Sequence, residues 1–223
     1  MSKSPRVNAV SKSTGVIAVP ADFIYLASQS PRRRQLLEQL GVRHELLLPS
    51  ADEDAEALEA SVAGELPQRY VERVTRAKLQ AARLRLRVRG LPPALILCSD
   101  TTVALGRRIL GKPVDAADAA ATLRLLSGRS HRVITSVALA WGRRSDEKEA
   151  LLTSVSHVRF AALSAARIAA YVDTGEPFGK AGAYAIQSGA AAWIEHIEGS
   201  YTGIMGLPLF ETAQLLAKAK LKY

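Results

Sequence analysis

The chain has 223 residues, 48% of them hydrophobic and 23% charged, which suits one large domain or two small lobes and excludes a disordered chain. Its longest apolar runs are too short to span a membrane, and the first residues lack the basic-then-apolar order of a signal peptide, so no membrane association and a cytoplasmic location are expected. The single cysteine, Cys98, excludes internal disulfides and a multi-cysteine zinc site. The formal charge of +9 invites nucleic-acid binding, but no aromatic residues interleave with the basic ones and no recognisable nucleic-acid module occurs, so no nucleic-acid partner is expected.

Residues 1–19 carry Lys3, Arg6 and Lys12 without an acid and read as a loose leader, which leaves 20–223 as a single domain. The run Phe23 to Ala27 predicts a buried strand. Ser30 then suits an N-cap and Pro31 the first helical position, Leu36, Leu37 and Leu40 form an apolar stripe, and Gly41 suits the residue past the end. A strand is expected at His44 to Leu48, followed by an acidic stretch with Asp52, Glu53, Asp54 and Glu56. A long helix should run from Pro67, with Val71, Val74, Ala77 and Ala81 on one face. Its end alternates Arg83, Arg85, Arg87 and Arg89 with Leu84, Leu86 and Val88, and reads as a solvated face.

Ala94 to Cys98 reads as a second buried strand ending at Ser99 and Asp100, and Val103 to Leu110 as a hairpin interrupted by Gly106. Asp115 with Asp118 opens a helix in the manner of a capping box, and Gly128 closes it. The runs His131 to Trp141 and Leu151 to Phe160 predict an antiparallel pair. Ser164 caps a helix to about Val172, Asp173 to Gly182 is a loop, Ala191 to Ile197 a strand, and Leu209 to Ala219 the closing helix. Helices alternating with strands early and hairpins late imply an α/β (α+β) protein with a mixed sheet.

Arg32, Arg33 and Arg34 occupy the first turn of a helix, where the macrodipole disfavours positive charge. A bound anion would reverse that cost, because the free backbone N–H groups, the hydroxyls of Ser28 and Ser30 and the guanidinium forks would all face it. Solvated arginines on a surface helix would look the same in sequence. Asp100, at the expected carboxyl end of a strand, is placed to hold a metal or activate water, or else to cap the turn with Thr101 and Thr102. Glu53 and its neighbours offer oxygen ligands for magnesium or manganese, and Lys78, Lys112 and Lys180 are candidates for phosphate oxygens. The four histidines have no ligand spacing, and no nucleophile elbow, P-loop or Gly-x-Gly-x-x-Gly turn is present.

Several blocks then recur in one order: Leu26-Ala-Ser-Gln-Ser-Pro-Arg-Arg33, Ser99-Asp-Thr101, Leu110-Gly-Lys-Pro113, Leu126-Ser-Gly-Arg-Ser-His131, Gly179-Lys-Ala-Gly-Ala-Tyr-Ala-Ile-Gln187, Gly199-Ser-Tyr201 and Gly206-Leu-Pro-Leu209. In these the chain resembles the Maf family of nucleoside triphosphate pyrophosphatases, from about residue 23 to about residue 216. The resemblance implies an elongated mixed sheet flanked by helices, with two lobes around a cleft, similar to the inosine triphosphate pyrophosphatase fold. It also implies a divalent cation (Mg or Mn) and hydrolysis of a nucleoside triphosphate between its α- and β-phosphates. Carried over by position, Asp100 matches the general base, Arg32, Thr101 and Gln187 match positions tied to substrate choice, and Glu53, or else its neighbour Asp52 or Asp54, matches an acidic metal position. The block around Gln187 looks like the branch acting on dTTP and UTP, rather than the one acting on 7-methylguanosine triphosphate. A non-catalytic regulator of cell division is the alternative from another class, and a homodimer stays open. Two departures from the family pattern stand out, Ser99 for a common alanine and Ser188 for a common glycine.

Overall fold

In the computed structural model, residues 23–54, 56–142 and 146–223 are described, and the expected leader lies outside them. Strand β1 (Ile24–Leu26) is buried at every position and pairs in parallel with β2 (His44–Leu46) and with β3 (Leu95–Leu105). β3 also pairs antiparallel with the short β4 (Arg108–Leu110) and with β5 (Ser130–Trp141). β5 continues antiparallel to β6 (Lys148–Phe160), and β6 to β7 (Ile194–Glu198). The sheet therefore has the order β2-β1-β3-β5-β6-β7, with β4 beside β3. Parallel pairing on one side and hairpins on the other give the mixed sheet that the sequence implied.

Helix α1 (Pro31–Gln39) carries Pro31 in its first turn, and Leu36 and Leu37 turn inward. Gly41 takes φ +74°, the left-handed conformation that closes a helix at least cost to glycine. Ser30 is the N-cap by position, but its hydroxyl makes no capping bond. Helix α2 (Pro67–Val88) lies on one sheet face, where Leu79 and Ala82 pack with Tyr25, Leu47, Ile96 and Cys98. On the other face α1 and α6 (Leu209–Lys218) close over Ile24, Leu26, Leu97, Val137 and Leu139. A third core gathers α3 (Ala116–Leu126) and α4 (Ala165–Asp173) around Val133, Phe160, Tyr184 and Trp193, and forms the second lobe. Asp115 accepts from the Asp118 backbone N–H at 2.8 Å, and Asp118 in turn accepts from that of Val114 at 3.1 Å, so the capping box closes one residue upstream.

Three expectations are corrected, and one element was not anticipated. The strand expected to stop at Asp100 continues to Leu105, and Asp100 sits in its interior opposite Ser136. The polar run Ser99 to Thr102 stays extended because its side chains find partners on both sheet faces. Arg83 and Arg85 are buried, not solvated, while Leu84 and Val88 are exposed. Acids remote in sequence explain the inversion: Glu149 pairs with Arg83 at 2.6 Å and Glu53 with Arg85 at 2.6 Å. The strand expected from Ala191 begins only at Ile194, after a 3-10 turn at Gly189–Trp193. Finally, the short helix α5 (Tyr201–Met205), capped by the Ser200 hydroxyl on the Gly203 N–H, had no periodic signal to announce it.

Candidate active site

Alternation along β3 distributes its polar residues. Ser99 and Thr101 share the face of Leu97, toward α1, and Asp100 shares the face of Cys98, toward α2. β1 ends at Leu26, and its last ladder bond runs from the Ala27 N–H to the Leu97 carbonyl. Beyond that point the α1 N-terminus, the middle of β3 and the loop after α5 converge on a cleft of about 950 Å³.

On the α1 side, guanidinium groups are anchored rather than free. Arg33 donates from Nε to the Gly206 carbonyl at 2.8 Å, and its two terminal nitrogens reach the Ser28 hydroxyl at 3.2 Å and the Thr101 hydroxyl at 3.4 Å. Arg32 donates from Nε to the Met205 carbonyl at 3.2 Å. The Ser99 hydroxyl lies 2.9 Å from both the Gly206 and the Ser136 carbonyls, so the extra oxygen at this position ties the sheet to the same loop. Thr135 donates to the Gly203 carbonyl at 2.7 Å and lies 3.0 Å from the Thr101 hydroxyl. Burial pushes the Arg33 guanidinium pKa down, with Asp100 opposing, and a cation so held gains from an anion in the cleft.

The α2 side carries the acids. Asp100, 7% exposed, accepts from Lys78 Nζ at 2.6 Å. The same ammonium donates to Glu59 at 2.7 Å, and the other Glu59 oxygen accepts from Lys112 at 2.7 Å. Asp100, Lys78, Glu59 and Lys112 thus form one alternating chain of charge across the cleft. Burial works against the Glu59 carboxylate, but Lys78 and Lys112 outweigh it and hold the pKa below the usual range. Tyr70, pushed up to about 12 by burial and these acids, fixes the Glu59 backbone by donating to its carbonyl at 2.9 Å.

Ser28, Ser30, Arg32, Arg33, Lys78, Asp100, Thr101, Lys112 and Lys180 all line this one cleft. Lys180 donates to the Glu176 carbonyl, and burial followed by Arg32 pushes its pKa down. Two residues are not brought there. Glu53 accepts from Arg85 through both oxygens at 2.9 Å or closer and from the Ser50 N–H, which holds its pKa down at about 2. Gln187 is exposed and outside the cleft wall. Its neighbour Ser188 donates to Glu176, which also accepts from Tyr171 and from the Gly189 N–H, so the serine in place of glycine pins this loop. Glu59 was missed because it stands among Glu53, Asp54 and Glu56 with nothing local to distinguish it.

Among the described residues no group of three or more His, Cys, Asp and Glu could hold a metal alone. Asp100 and Glu59 nevertheless both present a carboxylate oxygen within 2.7 Å of one cationic atom, Lys78 Nζ. Two hard oxygens completed by phosphate oxygens are the donor set that magnesium takes, so these residues fit a cation that arrives with a polyphosphate. No described helix is long and apolar enough to cross a membrane.

A family model described as Maf-like protein matches residues 23–219. The chain is 62% identical over 196 residues to a dTTP/UTP pyrophosphatase of Albidiferax ferrireducens, covering 88% of this chain and 96% of that one. It is 63% identical over 202 residues to a dTTP/UTP pyrophosphatase of Polaromonas sp. JS666, covering 91% and 98%. A third relative so named, from Ralstonia nicotianae, is 60% identical over 202 residues, covering 91% and 96%.

Proposed function

Because this chain belongs to the Maf family, we propose that it hydrolyses dTTP and UTP to the nucleoside monophosphate and pyrophosphate, in the cytoplasm and with a divalent cation. The observation that carries this reading is the carboxylate of Asp100 inside a cleft walled by Arg32, Arg33, Lys78, Lys112 and Lys180. A binding module has no need of a buried acid among phosphate-binding cations, whereas hydrolysis needs one to receive a proton.

In this mechanism the triphosphate lies along the cations, with its α-phosphorus near Asp100. Lys78 and Lys112 turn from the carboxylates to phosphate oxygens, and Arg32 and Arg33 complete the cradle at the α1 N-terminus. Asp100, relieved of its ion pair, takes the proton of a water aligned for attack, and pyrophosphate leaves. Asp100 and Glu59 would hold the cation, which when bound neutralises charge on the phosphates. Gln187, although outside the cleft wall, carries the donor and acceptor by which the resemblance ties it to base choice.

The test is a panel of nucleoside triphosphates with magnesium or manganese, scored for pyrophosphate against orthophosphate. Pyrophosphate in step with monophosphate, fastest for dTTP and UTP, is expected. Stepwise release of orthophosphate, or full turnover in excess chelator, would overturn the reading.

A further inference from the structure

Two large apolar side chains break the polar character of the cleft mouth. Val114 is 86% exposed and Phe178 is 40% exposed, and both line the cleft. Leaving such surface in water is unfavourable by about 25 cal/mol per Å².

Their placement is matched. Val114 follows Lys112 by two residues, and Phe178 precedes Lys180 by two, so each loop brings a cation to the cleft and leaves an apolar side chain at its rim. The two loops are tied together, since the Gly182 N–H donates to the Gly111 carbonyl at 3.1 Å. Gly182 sits at φ +72°, and a Cβ there would come within 2.9 Å of the Val103 side chain, so the close approach requires glycine. Lys180 folds back on the Phe178 carbonyl at 3.4 Å, which fixes the residue that carries the ring. Below the rim the wall stays apolar through Ile109, Tyr184 and Ile186.

A ligand that reaches Lys112 and Lys180 thus also meets two apolar side chains carried on the same joined loops. We infer that Phe178 and Val114 seat the nucleobase, with the Phe178 ring against its face and Val114 against its edge. The assignment rests on the proposed triphosphate substrate. A ribose would need hydroxyl partners that these side chains cannot offer, whereas a base has a π-face that stacks whatever its edge carries. Val114, having no donor or acceptor, favours an edge bearing a methyl group, as thymine does.

The experiment measures binding of a non-hydrolysable dTTP analogue and of inorganic tripolyphosphate, together with KM and kcat for dTTP and UTP. Phe178→Ala should weaken the analogue and raise both KM values roughly ten- to a hundredfold, the range of a lost stacking contact, while kcat and tripolyphosphate affinity stay within about twofold. Phe178→Trp should restore binding. Val114→Ala should lower the preference for dTTP over UTP by about threefold, the worth of one methyl contact. Unchanged analogue binding in Phe178→Ala, or an equal loss for tripolyphosphate, overturns the inference while the wild-type activity leaves the proposed function standing. A wild-type protein that hydrolyses no nucleoside triphosphate overturns both.

Discussion

Replacing Asp100 by Asn keeps the shape of the side chain and removes its charge. The side chain is 10% exposed and its ion pair with Lys78 measures 2.6 Å, so some stability must be lost. Lys78 keeps Glu59 at 2.7 Å, however, and no buried charge is left alone. The cost should therefore be about 1 kcal/mol, a fall of a few degrees in Tm for a domain of this size. Turnover should fall far more, by about a hundredfold to ten-thousandfold, equivalent to roughly 3–5 kcal/mol of barrier. Asp100 stands in the interior of β3, so a turn-capping role does not compete as an explanation. Pyrophosphate release at saturating metal, thermal unfolding, and binding of a non-hydrolysable analogue check the three parts. A folded variant that binds the analogue and turns over within about tenfold of wild type would refute the base assignment.

Glu53→Gln should leave turnover within about threefold, yet cost about 1–3 kcal/mol in urea unfolding, because the largely buried Arg85 loses its bidentate partner; a hundredfold loss of turnover in the folded variant would return Glu53 to the metal site. Since the Glu53 pKa is depressed to about 2, its contribution is complete above the unfolded carboxylate range and is lost as pH falls toward that value. Acid unfolding curves of wild type and Glu53→Gln should converge there. His131, 2% exposed and pushed down to about 4 by burial, is held neutral, so the fold should lose up to about 3 kcal/mol as pH falls from the unfolded range near 6.5 to 4. A His131→Gln variant whose unfolding keeps the same pH slope would show that another group is responsible. Gln187→Ala should erode the preference for pyrimidines over purines more than it lowers the best kcat, and a discrimination ratio unchanged within twofold would remove Gln187 from base reading.

Much of the cleft was legible because its residues lie beside backbone signals. Ser30, Pro31 and the following arginines mark a helix start, and Lys112 and Lys180 stand beside Gly111 and Gly179 in blocks that carry the family resemblance. What was not legible depended on partners far along the chain. Arg83 and Arg85 alternate with leucines as a solvated helix end would, and only Glu53, Glu147 and Glu149 explain their burial. The same pairing removes Glu53 from the cleft, where Glu59, supported by Tyr70, Lys78 and Lys112, stands with Asp100 around one ammonium. Asp100 was located in the right place for a different reason than expected. It faces the cleft through the two-residue alternation of an unbroken strand, not through a strand end.

The alternating chain of charge links binding to chemistry. Lys78 is shared between Asp100 and Glu59, and Lys112 is paired with Glu59, all at 2.6–2.7 Å. A polyphosphate that binds these lysines competes with the carboxylates for their charge. In the proposed mechanism each lysine that turns to phosphate relieves a carboxylate, so that Asp100 can take the proton of water and Asp100 and Glu59 would hold a cation. Arg32 and Arg33 are tied instead to the carbonyls of Met205 and Gly206. In the proposed mechanism the arginines are therefore the anchored part of the cradle and the lysines the part that moves, which makes Asp100 available in step with the binding of the phosphates.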